Sequence, residues 1–343
     1  MTDQHGQQAA DGAVLDAAVT HLLQGGLVAM PTETVYGLAA DAENTEAIKK
    51  IYTAKQRPGN HPLIVHLAPE TDLSYWASDV PDVAHRLVAA FWPGPLTLIL
   101  PRASHIPETV SGGQPTIGLR CPSHPVAREL LSRFARARPG GQGGLAAPSA
   151  NRFGQVSPTR AEHVRAEFPE LGDDVLLILD GGSADVGIES TIVDVSAGDS
   201  QVPSLLRPGH ITAADLEAVL GQSLARPQDD APQVSGSLKA HYAPHTPLQV
   251  LSRSALEQVL SDRSRPFARV AVVAFSPVDA VPVSVSLHIC AEAPGDYAQA
   301  LYALMRDLDS QNFDLLLFEQ PPQTPQWAAI NDRLRRAAAA FFG

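Results

Sequence analysis

The chain has 343 residues, with 25 lysines and arginines against 37 aspartates and glutamates, a net charge of −12 with histidine neutral. That acidity argues against a sequence-independent nucleic-acid clamp, which rests on many cationic contacts with phosphate, and leaves room for a local basic pocket for a small anion. An apolar share of 44% with 18% charged residues belongs to a globular chain rather than a disordered one, and at about 150 residues per domain the length fits two domains.

Cys121 and Cys290 show no CxxC or Cys/His ligand spacing, so no structural zinc site is expected and a reducing cytosol fits. The opening MTDQHGQQAADG lacks the apolar core of a secretory signal, and the longest apolar runs, VLLIL and VAVVAF, are of strand length. A cytoplasmic protein without membrane association is expected.

In chain order, residues 16–23 repeat apolar side chains with helical spacing and stop at Gly25-Gly26. LVAM is a buried strand ending at Pro31. Asn44 is placed to cap a helix whose apolar face is Ala47, Ile48, Ile51 and Tyr52 and whose C-terminal end carries Lys55. Strands follow at PLIVHL, PLTLIL and TIGLR, with helices over 82–91 and 125–134. After the loop RARPGGQGG, GLAAPSAN begins as a short strand. Ser157-Pro158 has the form of an N-cap with proline at the first helical position and predicts a helix to residue 168. Strands at VLLILD, STIVDVS and PSLLR precede a helix from Thr212, where TAAD has the form of a capping box with Asp for the usual Glu. Helices and strands in no strict βαβ order predict an α/β fold of the α+β kind, with a mixed, twisted sheet.

Residues 220–247 are rich in Pro, Gly and Ser without an apolar period, as in a linker. Beyond them LQVL, RVAVVAF, VPVSVSLHI and FDLLLFE alternate with helices near Ala255, over 295–308 and through WAAINDRLRRAAAA. That alternation predicts a small parallel, doubly wound α/β domain. The expected organisation is a first domain over 12–221, a linker over 222–247 and a second domain over 248–343.

Several stretches gather polar side chains where strands end. MPTETVYGLAADA sets Thr32, Glu33, Thr34 and Tyr36 straight after a buried strand, where α/β folds place ligands; a helix-entry turn is an equal reading. In KQRPGNHPLIVHL, dipole compensation at a helix C-terminus accounts for Lys55, worth about 0.3–1 kcal/mol, but not for Arg57, set by Pro58. An ammonium and a guanidinium two residues apart make a phosphate clamp. His66 by itself reads as a satisfied strand histidine. In GLRCPSHP, Arg120 ends a strand that Thr116 opens in the opposite phase to Ile117 and Leu119. An arginine there needs a carboxylate or phosphate, either bound or supplied by an internal Asp or Glu. Gly141-x-Gly143-x-x-Ala146 matches a dinucleotide fingerprint only formally, because Pro148 forbids the helix that must follow. In PSAN, Ser149 and Asn151 occupy alternate positions of an extended segment and so share a side, unless the segment is a turn. GIESTIVDV brings Ser190 and Thr191 into a buried strand, and LLRPG ends another at Arg207. Gly-Lys never occurs, so there is no Walker A loop, and no G-x-S-x-G elbow exists.

Taken together and in this order, PTETVYGLAADA, KQRPGNHPLIVHL, FWPGPLTLIL, GLRCPSHP, PSANRFGQVSPT, STIVDV and LLRPG resemble the threonylcarbamoyl-AMP synthase family with its YrdC-like fold. The resemblance runs over about residues 12–221. SGSLKAHYAP resembles the linker of the longer members, and the tail is similar to their Rossmann-like C-terminal domain. The resemblance implies an enzyme joining L-threonine, bicarbonate and ATP, with Mg²⁺ on the phosphates, into threonylcarbamoyl-adenylate and pyrophosphate. It implies a concave, positively charged cavity. It further implies a partner, a tRNA threonylcarbamoyl transferase complex, that carries the group to adenosine beside the anticodon.

Matched position by position, the resemblance implies a catalytic group of Lys55, Arg57, Ser149 and Asn151. It assigns ATP to Arg57, His61, Thr116, Ser149, Ser157, Arg207 and Tyr242, and threonine to Thr34, His66, Arg120, Ala147 and Ser190, with no protein metal ligand. Here His61 stands where the family often has Asn, and SGSLK where its linker usually reads serine-proline-glycine-methionine-lysine. Two alternatives remain: a double-stranded RNA or tRNA-binding module, against which the net charge weighs, and a carbamoyl-adenylate enzyme with another acceptor.

Overall fold

The computed structural model describes residues 11–227, 231–262, 269–278 and 284–342. Most of the N-terminal stretch tested for a signal therefore lies outside the described residues. The chain forms two compact units, one up to residue 153 together with 157–237, the other 154–156 together with 238–343. The stretch 222–247 is divided between them, with 238–247 belonging to the second.

Among the described residues the first unit holds nine strands: β1 Leu27–Met30, β2 Gly37–Asp41, β3 Ile64–His66, β4 Leu96–Pro101, β5 Thr116–Arg120, β6 Leu145–Ala146, β7 Leu176–Ile178, β8 Thr191–Asp194 and β9 Ser204–Arg207. They form one sheet in the order β7-β1-β2-β6-β3-β5-β4-β8-β9. β1–β7, β3–β5 and β4–β8 run parallel and the remaining neighbours antiparallel, the mixed sheet expected.

Alternation along the strands decides where a site can lie. A strand points successive side chains to opposite faces. Leu27 and Ala29 of β1, Val65 of β3, Leu96, Leu98 and Leu100 of β4, Ile117 and Leu119 of β5 and Val193 of β8 all enter one large core. That core is completed by the helices Thr45–Lys55, Asp82–Phe91, Ala161–Glu167 and Ala213–Leu220. On the other face, Val28, Met30, Ala39 and Leu145 pack under the helices Gly12–Leu23 and Pro125–Ala137. These two helices cover β1, β2 and β6. Over β3, β5, β4 and β8 the same face is left to Ile64, His66, Thr97, Ile99, Thr116, Gly118, Arg120 and Ile192. Gly118 keeps it flat: a Cβ there would stand 3.3 Å from Ile99 and 3.4 Å from Ile64.

Local signals account for most elements. Asn44 accepts from the backbone N–H groups of Glu46 and Ala47, and Thr212 and Asp215 close their capping box. Two features differ from expectation. PTETVY is the connection of a β-hairpin, since β1 pairs with β2 from Met30 opposite Gly37; GLAAD is buried throughout and apolar up to Asp41, so it shows no period to read. Ser157 does not cap a helix. Residues 157–160 stay out of the helix, held by the Tyr36 N–H on the Pro158 carbonyl, and the helix is Ala161–Glu167.

In the second unit β10 Leu248–Leu251, β11 Val270–Ala274, β12 Val285–Ile289 and β13 Leu315–Glu319 form a wholly parallel sheet in the order β10-β13-β11-β12. The helices Arg253–Ser261, Pro294–Asp309 and Ala328–Phe342 follow β10, β12 and β13, the order the sequence pattern gives, and no helix is described between β11 and β12. Among the described residues no helix is long and apolar enough to cross a membrane.

Candidate active site

The polar face of β3, β5, β4 and β8 is built from both of its ends. At one end β5 finishes with Arg120 and β3 with His66, paired in register. Arg120 Nη1 donates to Thr34 Oγ1 at 2.8 Å and Nε to the Gly94 carbonyl at 3.4 Å. Its Nη2 stands 2.7 Å from Glu33 Oε1. The internal carboxylate that a buried arginine calls for is therefore present. Yet this contact lacks hydrogen-bond alignment, and both Glu33 oxygens are buried without a donor among the described residues. His66 is buried too, with no partner for Nδ1 among the described residues. Burial, reinforced by the Arg120 charge, pushes its imidazole down to about 3, so it is neutral at ordinary pH.

Arg207, at the end of β9, donates to the Ser190 carbonyl from Nε at 3.1 Å and Nη2 at 2.9 Å, and from Nη2 to Ser190 Oγ at 3.1 Å. Ser190 Oγ also shares a hydrogen bond of 2.8 Å with Thr97 Oγ1. The Pro-Gly break after Arg207 permits this closeness, because a Cβ on Gly209 would fall 2.4 Å from the Thr191 nitrogen.

The other end lies where β5 begins. Thr116 opens that strand, about 13 Å from Arg120 at the usual rise per residue. Pro62 precedes β3 at the same level, and its carbonyl accepts from Arg57 Nη2 at 2.8 Å. The Arg57 guanidinium lies 5.4 Å from the centre of the Phe153 ring, which His61 meets edge-on at 5.1 Å. Burial and then the Arg57 charge lower the His61 imidazole. Ser235 spans two arginines: its Oγ is 3.5 Å from Arg57 Nη2 and its carbonyl accepts from Arg207 Nη1 at 2.7 Å.

Lys55 has a different environment from the one a phosphate clamp requires. Its ammonium is buried and donates to the carbonyls of Ser149, at 2.5 Å, and Asn151. Burial, helped by Arg57, lowers it well below an ordinary lysine. The group thus pins the Ser149-Ala150-Asn151 backbone. Gly37 bridges to Ser149, and the Ala147 N–H donates to the Ile64 carbonyl at 3.0 Å, which ties that segment to the sheet. Ser157 donates to Glu189 Oε1 at 2.6 Å, placing a buried carboxylate beside it. Tyr242 belongs to the second unit, where its backbone has φ 62° and the Arg333 guanidinium lies 5.2 Å from its ring centre.

Arg120, Thr34 and His66 thus gather at one end, Arg57, His61 and Phe153 at the other, and Arg207 with Ser190 and Thr97 alongside. Sequence reasoning placed Glu33 in the polar cluster after β1 where a ligand can bind but gave it no role of its own, and it did not single out Thr97, Glu189 or Ser235 as site residues. Thr97 carried a signal, a hydroxyl in the off-phase of PLTLIL; Glu33 and Glu189 each adjoin an assigned residue. Among the described residues no group of three or more His, Cys, Asp or Glu is arranged to hold a metal. The arrangement offers a guanidinium at each of two separate points, one of them beside the Glu33 carboxylate.

A mixed sheet with one polar, arginine-bearing face, joined in one chain to a parallel α/β unit, defines a two-domain α/β class of protein. The model of the family described as Telomere recombination matches residues 20–209, and that of the Threonylcarbamoyl-AMP synthase, C-terminal domain, matches 211–339. A threonylcarbamoyl-AMP synthase of Pyrococcus abyssi is 34% identical over 94% of this chain and 93% of its own length. One of Bacillus subtilis is 37% identical over 94% and 92%. A crystal structure of P. abyssi Sua5 complexed with L-threonine superposes with a TM-score of 0.83 at 32% identity, covering 94% of each chain. The chain belongs to the threonylcarbamoyl-AMP synthase family, in its two-domain form.

Proposed function

We infer that this chain is a threonylcarbamoyl-AMP synthase, joining L-threonine, bicarbonate and ATP into threonylcarbamoyl-AMP with release of pyrophosphate. The observation that carries the reading is the pair of separated arginine-bearing ends on one sheet face, Arg120 with Thr34, His66 and the Glu33 carboxylate at one and Arg57 at the other. The threonine carboxylate goes to Arg120, with Thr34, His66, Ala147 and Ser190 around the amino acid. The triphosphate goes to Arg57, Arg207, Ser149 and Asn151, with His61, Thr116 and Ser157 on the nucleotide; Tyr242 is assigned to it on family resemblance alone.

Threonine's amine adds to bicarbonate and a C–O bond breaks with loss of water to give a carbamate, whose oxygen attacks the α-phosphate as pyrophosphate leaves. Orientation and fixed cations lower the barrier, since the charge that develops lies on phosphate oxygens. Lys55 acts by holding the carbonyls of Ser149 and Asn151 and so the shape of that loop. Magnesium arrives on the triphosphate as part of the substrate, a common arrangement for an ion that keeps few protein ligands. The product then passes to a tRNA threonylcarbamoyl transferase, and the chain acts in the cytoplasm.

Pyrophosphate release from ATP and bicarbonate, with single amino acids supplied in turn, tests the reading. Release that depends on threonine is expected; release indifferent to threonine rejects it.

A further inference from the structure

We propose that Glu33 is the residue that receives the amino group of the amino-acid substrate, first as an ammonium partner and then as the acceptor of its proton. The proposal rests on the reading of the Arg120 end as the threonine pocket. Glu33 is 4% exposed, and neither of its oxygens has a hydrogen-bond donor among the described residues, although Arg120 Nη2 is 2.7 Å away. A buried carboxylate commonly accepts several hydrogen bonds, and one left without any costs free energy that a bound group can recover. Glu33 also adjoins Thr34, whose hydroxyl accepts from Arg120 Nη1.

An α-amino acid is a zwitterion whose two charges lie a few bonds apart, and an adjacent guanidinium and carboxylate form its complement. On binding, the substrate carboxylate takes the guanidinium and the ammonium takes Glu33. Ion pairs are exchanged and the pocket's net charge is unchanged. A carboxylate ligand without an amine would leave Glu33 as an uncompensated buried anion. The same contact prepares the chemistry. A protonated amine cannot attack carbon, so one proton must leave: R–NH₃⁺, bicarbonate and the Glu33 carboxylate become R–NH–COO⁻, water and the Glu33 carboxylic acid. The N–C bond forms, a C–O bond of bicarbonate breaks, and of the amine's two departing protons one goes to Glu33 and one into the water. His66, paired in register with Arg120, is too weak a base to compete because burial and the Arg120 charge push its imidazole down to about 3, which leaves the Glu33 carboxylate as the acceptor beside Arg120.

Calorimetric binding of L-threonine and of its analogue 2,3-dihydroxybutyrate, which lacks the amine, tests this without relying on a variant. The wild-type protein is expected to bind threonine at least thirtyfold more tightly, roughly the cost of removing one partner of a buried charge pair. Glu33→Gln is expected to abolish that preference, with the analogue bound as well as before or better because Arg120 is released. At saturating threonine its pyrophosphate release is expected to fall about a hundredfold, a usual share for a positioned base. Equal wild-type affinities, or a Glu33→Gln protein that weakens or strengthens both ligands alike, overturn the proposal. Variant turnover within threefold of wild type overturns its proton-accepting half. A wild-type protein that binds no threonine rejects the pocket assignment itself, and the proposal with it.

Discussion

Asp332 and Glu33 are both acidic side chains shut away from water, one in each unit, and their surroundings are opposite. Asp332, on the helix Ala328–Phe342, receives Arg335 at 2.6 Å and Arg336 at 3.1 Å on one oxygen, and Arg336 at 2.9 Å and Arg333 at 3.0 Å on the other. Burial works to raise this carboxyl, but Arg333 and then Arg336 and Arg335 outweigh it and hold it below the ordinary range. Glu33 meets one guanidinium and accepts no hydrogen bond from the described residues. A buried network whose lone pairs are all occupied has finished its work in holding the fold. One left partly occupied has capacity for something that arrives later.

The contrast is open to direct attack. Asp332→Asn should have the largest effect on stability, because it removes the buried negative charge to which Arg333, Arg335 and Arg336 all donate. Breaking such a pair costs about 3–5 kcal/mol. Urea unfolding followed by circular dichroism reads the loss, and a change below about 1 kcal/mol would remove the distinction between the two carboxylates.

Lys55→Met extends the comparison to a cation with its hydrogen bonds made. Two carbonyls lose their donor at once, which costs about 2–3 kcal/mol. Pyrophosphate release should fall at least tenfold, since the Ser149–Asn151 backbone loses its anchor. A variant with wild-type turnover and a normal melting temperature would show that the two carbonyls need no ammonium.

His66 stands on the Glu33 side of the contrast, buried and incompletely partnered. In the fold its imidazole is pushed down to about 3 from an ordinary 6.5, so it stays neutral while the unfolded chain binds a proton below that value. The unfolded state then holds more protons, and stability falls as pH falls. The contribution is whole above about pH 6.5 and drains between 6.5 and 3, at up to about 1.4 kcal/mol per pH unit. His66→Gln should flatten that slope in urea titrations at successive pH values. His124 and His61 are lowered too and remain in both proteins, so the difference isolates His66. Parallel slopes in the two proteins would mean that His66 is hydrated in the fold.

How far these features were legible in the sequence follows from the range of the forces involved. The Asn44 cap and the helix ending in Lys55 are set by residues within a few positions, and the sequence shows them directly. So is the phase of β5, where Thr116 and Arg120 share the face opposite Ile117 and Leu119. The parallel second unit was legible for the same reason. Glu33 was legible only as one of the polar residues clustered after β1, because nothing nearby in sequence shows that its partner is Arg120, 87 positions away, or that no donor reaches its oxygens. Ser157 carried a false local signal: a serine before proline has the form of a cap wherever it stands. Here the Pro158 carbonyl is taken by Tyr36 and the hydroxyl by Glu189, and those long-range bonds override the local preference.

Thr212 is the matching case in which the local signal is sound, and it carries the smallest expected effect. Its hydroxyl accepts from the Asp215 N–H at 3.2 Å, and the Asp215 carboxylate accepts from the Thr212 N–H at 2.9 Å and from its hydroxyl at 2.6 Å. Those bonds hold the Asp215 carboxyl below its ordinary value, the hydroxyl first and the backbone next. The cap starts a helix, Ala213–Leu220, that buries Leu216 and Leu220 in the large core. Thr212→Ala should therefore cost about 1 kcal/mol, the usual worth of a cap, as a small fall in the melting temperature of the first unit. Threonine affinity should not change, because the box touches neither end of the polar face. Ser157→Ala should behave in the reverse way, removing no cap and taking a hydrogen bond from the buried Glu189 carboxylate, with Ser157 itself among the residues proposed for the nucleotide. If Thr212→Ala weakened threonine binding while Ser157→Ala left nucleotide binding intact, the separation between groups that hold the fold and groups that serve the site would fail at its simplest point.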